Sequence, residues 1–176
     1  MIFKKYLLLA VLSFIFIACN SPKEQENRGY ISAIGDEVPN IEFQLIDGNT
    51  ITLKALKGKV VVLQFTASWC SVCRKEMPHL EKEVWQRFKE DEFILIGVDY
   101  DEPLETVIKF QEDMGTTYPM SLDPNADIFS IFAHKKSGVT RNVVIDQNGK
   151  IAFQTRLFDQ KEFEEMINKI DELLKD

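Results

Sequence analysis

Hydrophobic and polar positions alternate over Ile41-Glu-Phe-Gln-Leu-Ile46, pause at Asp47-Gly48-Asn49, and resume over Thr50-Ile-Thr-Leu53. A period of two on either side of residues that tolerate positive φ predicts a β-hairpin. After Lys57-Gly58-Lys59 the alternation stops, and Val60 to Phe65 is an apolar run broken only by Gln64. A second such run covers Phe93 to Val98. Both predict strands covered on their two faces. Between them, Met77, Leu80, Val84 and Phe88 recur at three- and four-residue steps. That period predicts a helix from about Ser71 to Glu90 with one apolar stripe. Pro78 lies inside it and predicts a kink, because it removes one hydrogen bond and crowds the preceding turn.

Further helices are expected over Pro103 to Met114 and, shorter, over Asn125 to Ala133. Val143-Val-Ile145 and Ile151-Ala-Phe153 flank Asp146-Gln-Asn-Gly149 as a second hairpin. Phe163, Met166, Ile167, Ile170 and Leu174 share one face of a closing helix. Strands alternating with helices, then a hairpin and a helix, predict an α/β fold: a three-layer α/β/α sandwich around a mixed sheet.

The chain has 176 residues, 45% of them hydrophobic, enough for one domain plus a short extension. Its net charge of -7 repels a phosphate backbone, so nucleic acid is not an expected partner. At the N-terminus, Lys4 and Lys5 precede the mostly apolar stretch Tyr6 to Ala18, as in a secretory leader. The stretch ends in Phe16-Ile17-Ala18-Cys19, which resembles a bacterial lipobox with Phe16 where leucine is usual. An ordinary signal peptide with an incidental cysteine is the alternative. On the lipobox reading, residues 1–18 are a lipoprotein signal peptide, 19–30 are the lipidated N-terminus and a polar tether, and 31–176 are the domain. Cys19 would carry the lipid and hold the domain at a membrane, outside the cytoplasm and most naturally in the periplasm, where disulfide chemistry is allowed.

Lipidation of one cysteine would leave two, in Trp69-Cys70-Ser71-Val72-Cys73, directly after the buried run. Two cysteines with this spacing, where a strand turns into a helix, have the layout of a redox-active dithiol. The helix N-terminus offers unpaired N–H groups and the positive end of the dipole, both of which favour a thiolate. Cys70, at the first turn, is then the more reactive sulfur, and Cys73 lies one turn deeper. Two structural cysteines or half of a zinc site are the alternatives. A closed zinc site needs four ligands. His79 and His134 do not complete one in the sequence pattern, so neither metal nor cofactor is expected.

The segment Phe65-Thr-Ala-Ser-Trp-Cys70-Ser-Val-Cys73-Arg-Lys-Glu76-Met-Pro78, with Val-Val-Ile-Asp146-Gln-Asn-Gly149-Lys downstream, resembles thioredoxin-like proteins. It is most similar to the membrane-tethered TlpA/ResA-like thiol-disulfide oxidoreductases. The resemblance runs from about Ile34 to Lys175. It implies a thioredoxin-like sandwich with an N-terminal hairpin and a central helix–strand insertion between Asp99 and Phe132. It also implies that Cys70 attacks a substrate disulfide, that Cys73 resolves the mixed disulfide, and that Glu76 assists proton movement. A solvated helix glutamate is the other reading of Glu76. Trp69 is expected to shield the dithiol and line a substrate surface, or else to be a core aromatic.

Gln64 stands where cytoplasmic thioredoxins have a buried acid, and is expected as a buried amide bonded to backbone. Arg74 and Lys75 would favour a thiolate if they lean toward Cys70. The position facing the dithiol, where such folds carry a cis-proline, falls on Thr140. A cis bond before a non-proline residue costs about 3–4 kcal/mol, so either this bond is trans or the fold holds it strained. Val139 and Thr140 are the candidates for docking substrate backbone, and Arg141 is expected in a surface ion pair or beside an anionic group.

The resemblance implies protein disulfides as substrates and, for a reductant outside the cytoplasm, a membrane electron donor, with cytochrome c maturation or disulfide repair as settings. Two other functions remain open. A peroxidase of this fold would place proline and threonine where Leu63 and Ala67 stand. A binding module would not need two thiols at this spacing.

Overall fold

The structure is a computed structural model that describes residues 28–175. The predicted signal peptide, Cys19 and most of the tether therefore lie outside the described residues. Three strands of the sheet run side by side through the centre of the molecule: β3 (Val60–Thr66), β4 (Phe93–Tyr100) and β6 (Arg141–Ile145). The first hairpin, β1 (Glu42–Leu45) and β2 (Thr50–Thr52), forms where the alternation predicted it. With β5 (Met120–Asp123) and β7 (Ile151–Arg156) the order is β2-β1-β5-β4-β3-β6-β7. β3, β4 and β5 are parallel to their neighbours among themselves, and the remaining pairings are antiparallel, so the sheet is mixed.

All seven residues of β3 are buried, because both of its faces are covered. On one face Val60 and Val62 pack with Met77, Leu80, Val84 and Phe88, and with Phe163, Met166 and Ile170 of the last helix. On the other, Val61, Leu63 and Phe65 pack with Phe129, Phe132, Leu53 and Leu56. The first layer is built from α1 (Ser71–His79), the short α2 (Gln86–Phe88), α3 (Leu104–Met114) and α5 (Gln160–Leu173). The opposite layer is thinner: α4 (Phe129–Phe132), a 3₁₀ turn at Leu53–Leu56, and the segment from Tyr30 to Ile41.

The kink at Pro78 takes a specific form. After α1 the backbone winds as a π-helix over Leu80–Trp85 before returning to α2. A proline lacks the N–H that would bond four residues back, and a wider turn is one way the ladder absorbs that loss. The apolar stripe survives: Met77, Leu80, Val84 and Phe88 are all buried.

Two expectations need correction. The helix expected over Asn125 to Ala133 is α-helical only at Phe129–Phe132, preceded by a 3₁₀ turn with Asn125 and Ala126 at positive φ. Arg141 is not a surface residue. Its side chain is fully buried, stacked 4.3 Å over the Tyr30 ring and 5.9 Å from the centre of the Phe129 ring.

Candidate active site

The chain leaves β3 at Thr66, crosses Ala67, Ser68 and Trp69, and enters α1 at Cys70, its N-cap. Cys70 Sγ accepts a hydrogen bond from the Cys73 backbone N–H at 3.2 Å, so the sulfur occupies the place of a capping side chain. Cys70 and Cys73 are joined as a disulfide, with Cα atoms 5.3 Å apart. Cys70 retains 8% exposure and Cys73 none. Of the two cysteines, the one at the cap is the more exposed.

The loop that delivers Cys70 is clamped. The Glu102 carboxylate accepts from Ser68 N at 2.5 Å and from Ser68 Oγ at 2.6 Å, while Arg74 Nε donates to Ser68 O at 2.7 Å. Arg74 also lies 4.9 Å over the Phe110 ring. Asp99, at the end of β4, is fully buried close to Glu102. Burial, then the neighbouring Glu102 and Asp123 carboxylates, push Asp99 up to about 8. It is therefore a neutral acid at pH 7, which spares the clamp a second adjacent negative charge. Glu102 carried no sequence signal, because its link to Ser68 spans more than thirty residues.

Glu76 sits one turn beyond Cys73 on α1, on the same face by helical spacing. It is not solvated: its exposure is 1%. Asn142 Nδ2 donates to Oε1 at 2.7 Å, whereas Oε2 has no hydrogen-bond partner among the described residues. Burial dominates and pushes the carboxyl up to about 8, with the Asn142 amide and the nearby Gln64 amide pulling the other way. Gln64 and Asn142 are direct cross-strand partners on β3 and β6. Gln64 is buried as expected, but its Oε1 accepts from the Tyr118 hydroxyl at 2.8 Å rather than from backbone. Gly97, opposite Gln64 on β4, leaves room for that ring, since a Cβ there would stand 3.2 Å from Tyr118 Cε2. The tyrosine's own ionisation is pushed well above its usual value, chiefly by burial. Lone polar residues in two apolar strands were the available signal for this network.

On the far side of the sulfurs stands Thr140. Among the described residues there is no cis peptide bond, so its peptide is trans. Its Oγ1 lies 3.2 Å from Cys70 Sγ and 3.3 Å from Cys73 Sγ. The Val139 side chain is buried, so any contact with a substrate falls to its backbone. Trp69 is 64% exposed beside Cys70, which excludes the core reading. Leu157, also exposed, donates its N–H to Thr140 O at 3.1 Å. His79 is paired with Glu83 at 2.7 Å and packs against Phe158, away from the sulfurs. Among the described residues no three His, Cys, Asp or Glu side chains group as metal ligands.

Known proteins fit this geometry. ResA, a thiol-disulfide oxidoreductase of Bacillus thuringiensis subsp. konkukian, is 30% identical over 173 residues, covering 95% of this chain and 98% of the relative. A solution structure from Bacteroides thetaiotaomicron, described as a candidate protein disulfide isomerase, is 52% identical with a TM-score of 0.82, covering 84% of this chain and 94% of its own. A crystal structure from Chlorobium tepidum, described as a candidate thiol:disulfide interchange protein DsbE, is 25% identical with a TM-score of 0.70 and covers 81% and 98%. The pattern of the AhpC/TSA family matches residues 34–154. With the sulfurs of a Cys-x-x-Cys pair bonded at a helix cap, and ResA matched over 95% of the chain, the chain belongs to the AhpC/TSA family, as one of its thioredoxin-like thiol-disulfide oxidoreductases.

Proposed function

We propose that Cys70 is the attacking thiolate, Cys73 the resolving thiol and Glu76 the proton acceptor of an enzyme that reduces disulfides of proteins outside the cytoplasm. The observation that carries this reading is the inequality of the two cysteines: Cys70 keeps 8% exposure at a helix cap, whereas Cys73 is fully buried one turn deeper on the helix that carries the buried Glu76.

In the reducing direction, the Cys70 thiolate attacks one sulfur of a substrate disulfide. A Cys70–substrate bond forms, the substrate S–S bond breaks, and the departing thiolate takes a proton from solvent. Cys73 then gives its proton to Glu76 in its ionised form, which a carboxyl raised to about 8 supplies in part near neutral pH, and its thiolate attacks Cys70 Sγ. The intramolecular disulfide forms and the second substrate thiolate leaves, taking up a proton in turn. Two electrons have moved from protein to substrate. A dithiol-class donor in the membrane returns them by the same exchange run backwards.

A Glu76 carboxyl pushed up to about 8 suits this task, since it stands close to the usual value of a free thiol, about 8.5, where a proton passes with little driving force to overcome. The Ser71-Val72 pair between the cysteines lacks the histidine of strongly oxidising relatives, which supports a reduction potential near the reducing end of the range, about -270 mV rather than about -120 mV. Trp69 and the Val139–Thr140 backbone supply the surface for substrate. Cys19, lipidated, anchors the domain on the periplasmic side through the tether, and cytochrome c maturation or disulfide repair is the setting. A peroxidase is disfavoured because Leu63 and Ala67, where such enzymes need proline and threonine, are buried apolar residues.

The test is insulin reduction by the purified chain with dithiothreitol as electron source. The parent accelerates precipitation of the insulin B chain, and Cys70→Ala falls to the uncatalysed rate. A Cys70→Ala chain that still accelerates it overturns the assignment.

A further inference from the structure

Thr140 is held against the dithiol by more than contact. Its carbonyl accepts from Leu157 N at 3.1 Å and from Arg156 Nη1 at 3.5 Å. Three residues upstream, Ser137 O is gripped by Arg156 Nη2 at 2.8 Å and by Arg141 Nη2 at 3.2 Å. The side chain is β-branched, so few rotamers are open to it, and the residue is only 2% exposed. Water has little access to compete for the hydroxyl. That hydroxyl has one proton to donate and two lone pairs to accept with, and it stands at almost equal distance from both sulfurs.

We propose that in the reduced protein the Thr140 hydroxyl bridges the two sulfurs, donating to the Cys70 thiolate and accepting the Cys73 S–H, so that it keeps the charge on Cys70 and the proton on Cys73. The inference rests on the dithiol chemistry proposed above and adds a catalytic residue to it. With the Cys73 backbone N–H at 3.2 Å, the Cys70 thiolate has two donors. Once Cys70 is tied up in a mixed disulfide it carries no charge. The hydroxyl then rotates its proton toward Cys73 as that sulfur ionises. One rotor follows the negative charge through the cycle while its own O–H bond stays intact. A proline at this position could neither donate nor accept through its side chain.

The other ionisable groups on the elements packed about the dithiol are Arg74 and Glu76 on α1, Asp99 and Glu102 at the end of β4, Arg141 on β6 and Arg156 on β7. None of them changes when Thr140 is replaced. The experiment titrates the reduced full chain by pH-dependent alkylation with iodoacetamide, with the modified cysteine identified by mass spectrometry. Thr140→Val keeps the shape and removes the hydroxyl, Thr140→Ser keeps the hydroxyl, and Thr140→Ala is a second hydroxyl-free variant should valine compromise folding. The midpoint for Cys70 is expected to rise by about one pH unit in the hydroxyl-free variant, a roughly 10-fold loss of thiolate below the midpoint. The serine variant stays within about 0.3 unit of the parent. A hydroxyl-free variant that titrates like the parent overturns the proposal, and so does a serine variant that shifts as far as the valine one. The outcome is independent of insulin reduction by the parent, so failure of the dithiol reading is told apart from failure of this one.

Discussion

Burial pushes the Glu76 carboxyl up to about 8 in the folded protein, whereas a glutamate in an unfolded chain ionises near 4.5. Between those two values the unfolded chain has released a proton that the folded protein keeps. Stability must therefore fall as pH rises through that interval, by up to about 1.4 kcal/mol per pH unit for one group. Below 4.5 both states hold the proton, and above about 8 both have lost it, so the slope vanishes at either end. Glu76→Gln removes this contribution. Urea unfolding at about pH 5 and about pH 8 is expected to show a smaller loss of stability in the variant than in the parent. Asp99, raised in the same direction, leaves a residual slope. An unchanged pH difference would show that Glu76 is ionised in the fold. The dithiol itself was legible because its meaning is local: two cysteines at one turn's spacing after a buried run. The burial of Glu76 was not, because Asn142, which binds it, lies on β6, far along the chain from α1, and reaches it only through the register that sets Gln64 opposite Asn142. Thr140 was placed by position, but its hydroxyl contact to both sulfurs depends on the arginines and the Leu157 N–H that fix its loop.

At the scale of elements, periodicity worked where an element is long and one-sided. The stripe through Met77 and Phe88 and the face of α5 were readable, since burial of such a stripe against the sheet dominates helix stability. The Pro78 kink was readable as a disturbance, but its resolution into a π-helix over Leu80–Trp85 depends on how that stripe must meet the sheet. β5 carries only four residues and pairs with β4 on one side and β1 on the other. That double pairing joins the N-terminal hairpin to the parallel strands, and no four-residue window announces it. The short α4 owes its start to Asp123, whose two carboxyl oxygens accept from Ile128 N and Phe129 N at 2.8 Å. An N-terminal cap supplied from the end of a strand, rather than by the residue before the helix, is hidden from a reading of caps along the chain.

At the scale of the whole molecule, the sheet places its chemistry at one end, where β3 hands over to α1 and the Thr140 loop enters β6. The proposed anchor belongs to this scale too, because it decides where substrates are met. Cys19→Ala in the full chain is expected to move the protein from the membrane fraction to the soluble one, and a variant that stays membrane-bound contradicts the anchor. The central claim, that one sulfur attacks and its neighbour resolves, is tested most directly by trapping. With Cys73→Ser the first step can proceed and the second cannot, so a covalent adduct accumulates and mass spectrometry locates the bond between Cys70 and a substrate cysteine. An equal yield of adduct from Cys70→Ser, or none from Cys73→Ser in a chain that still folds, would contradict it.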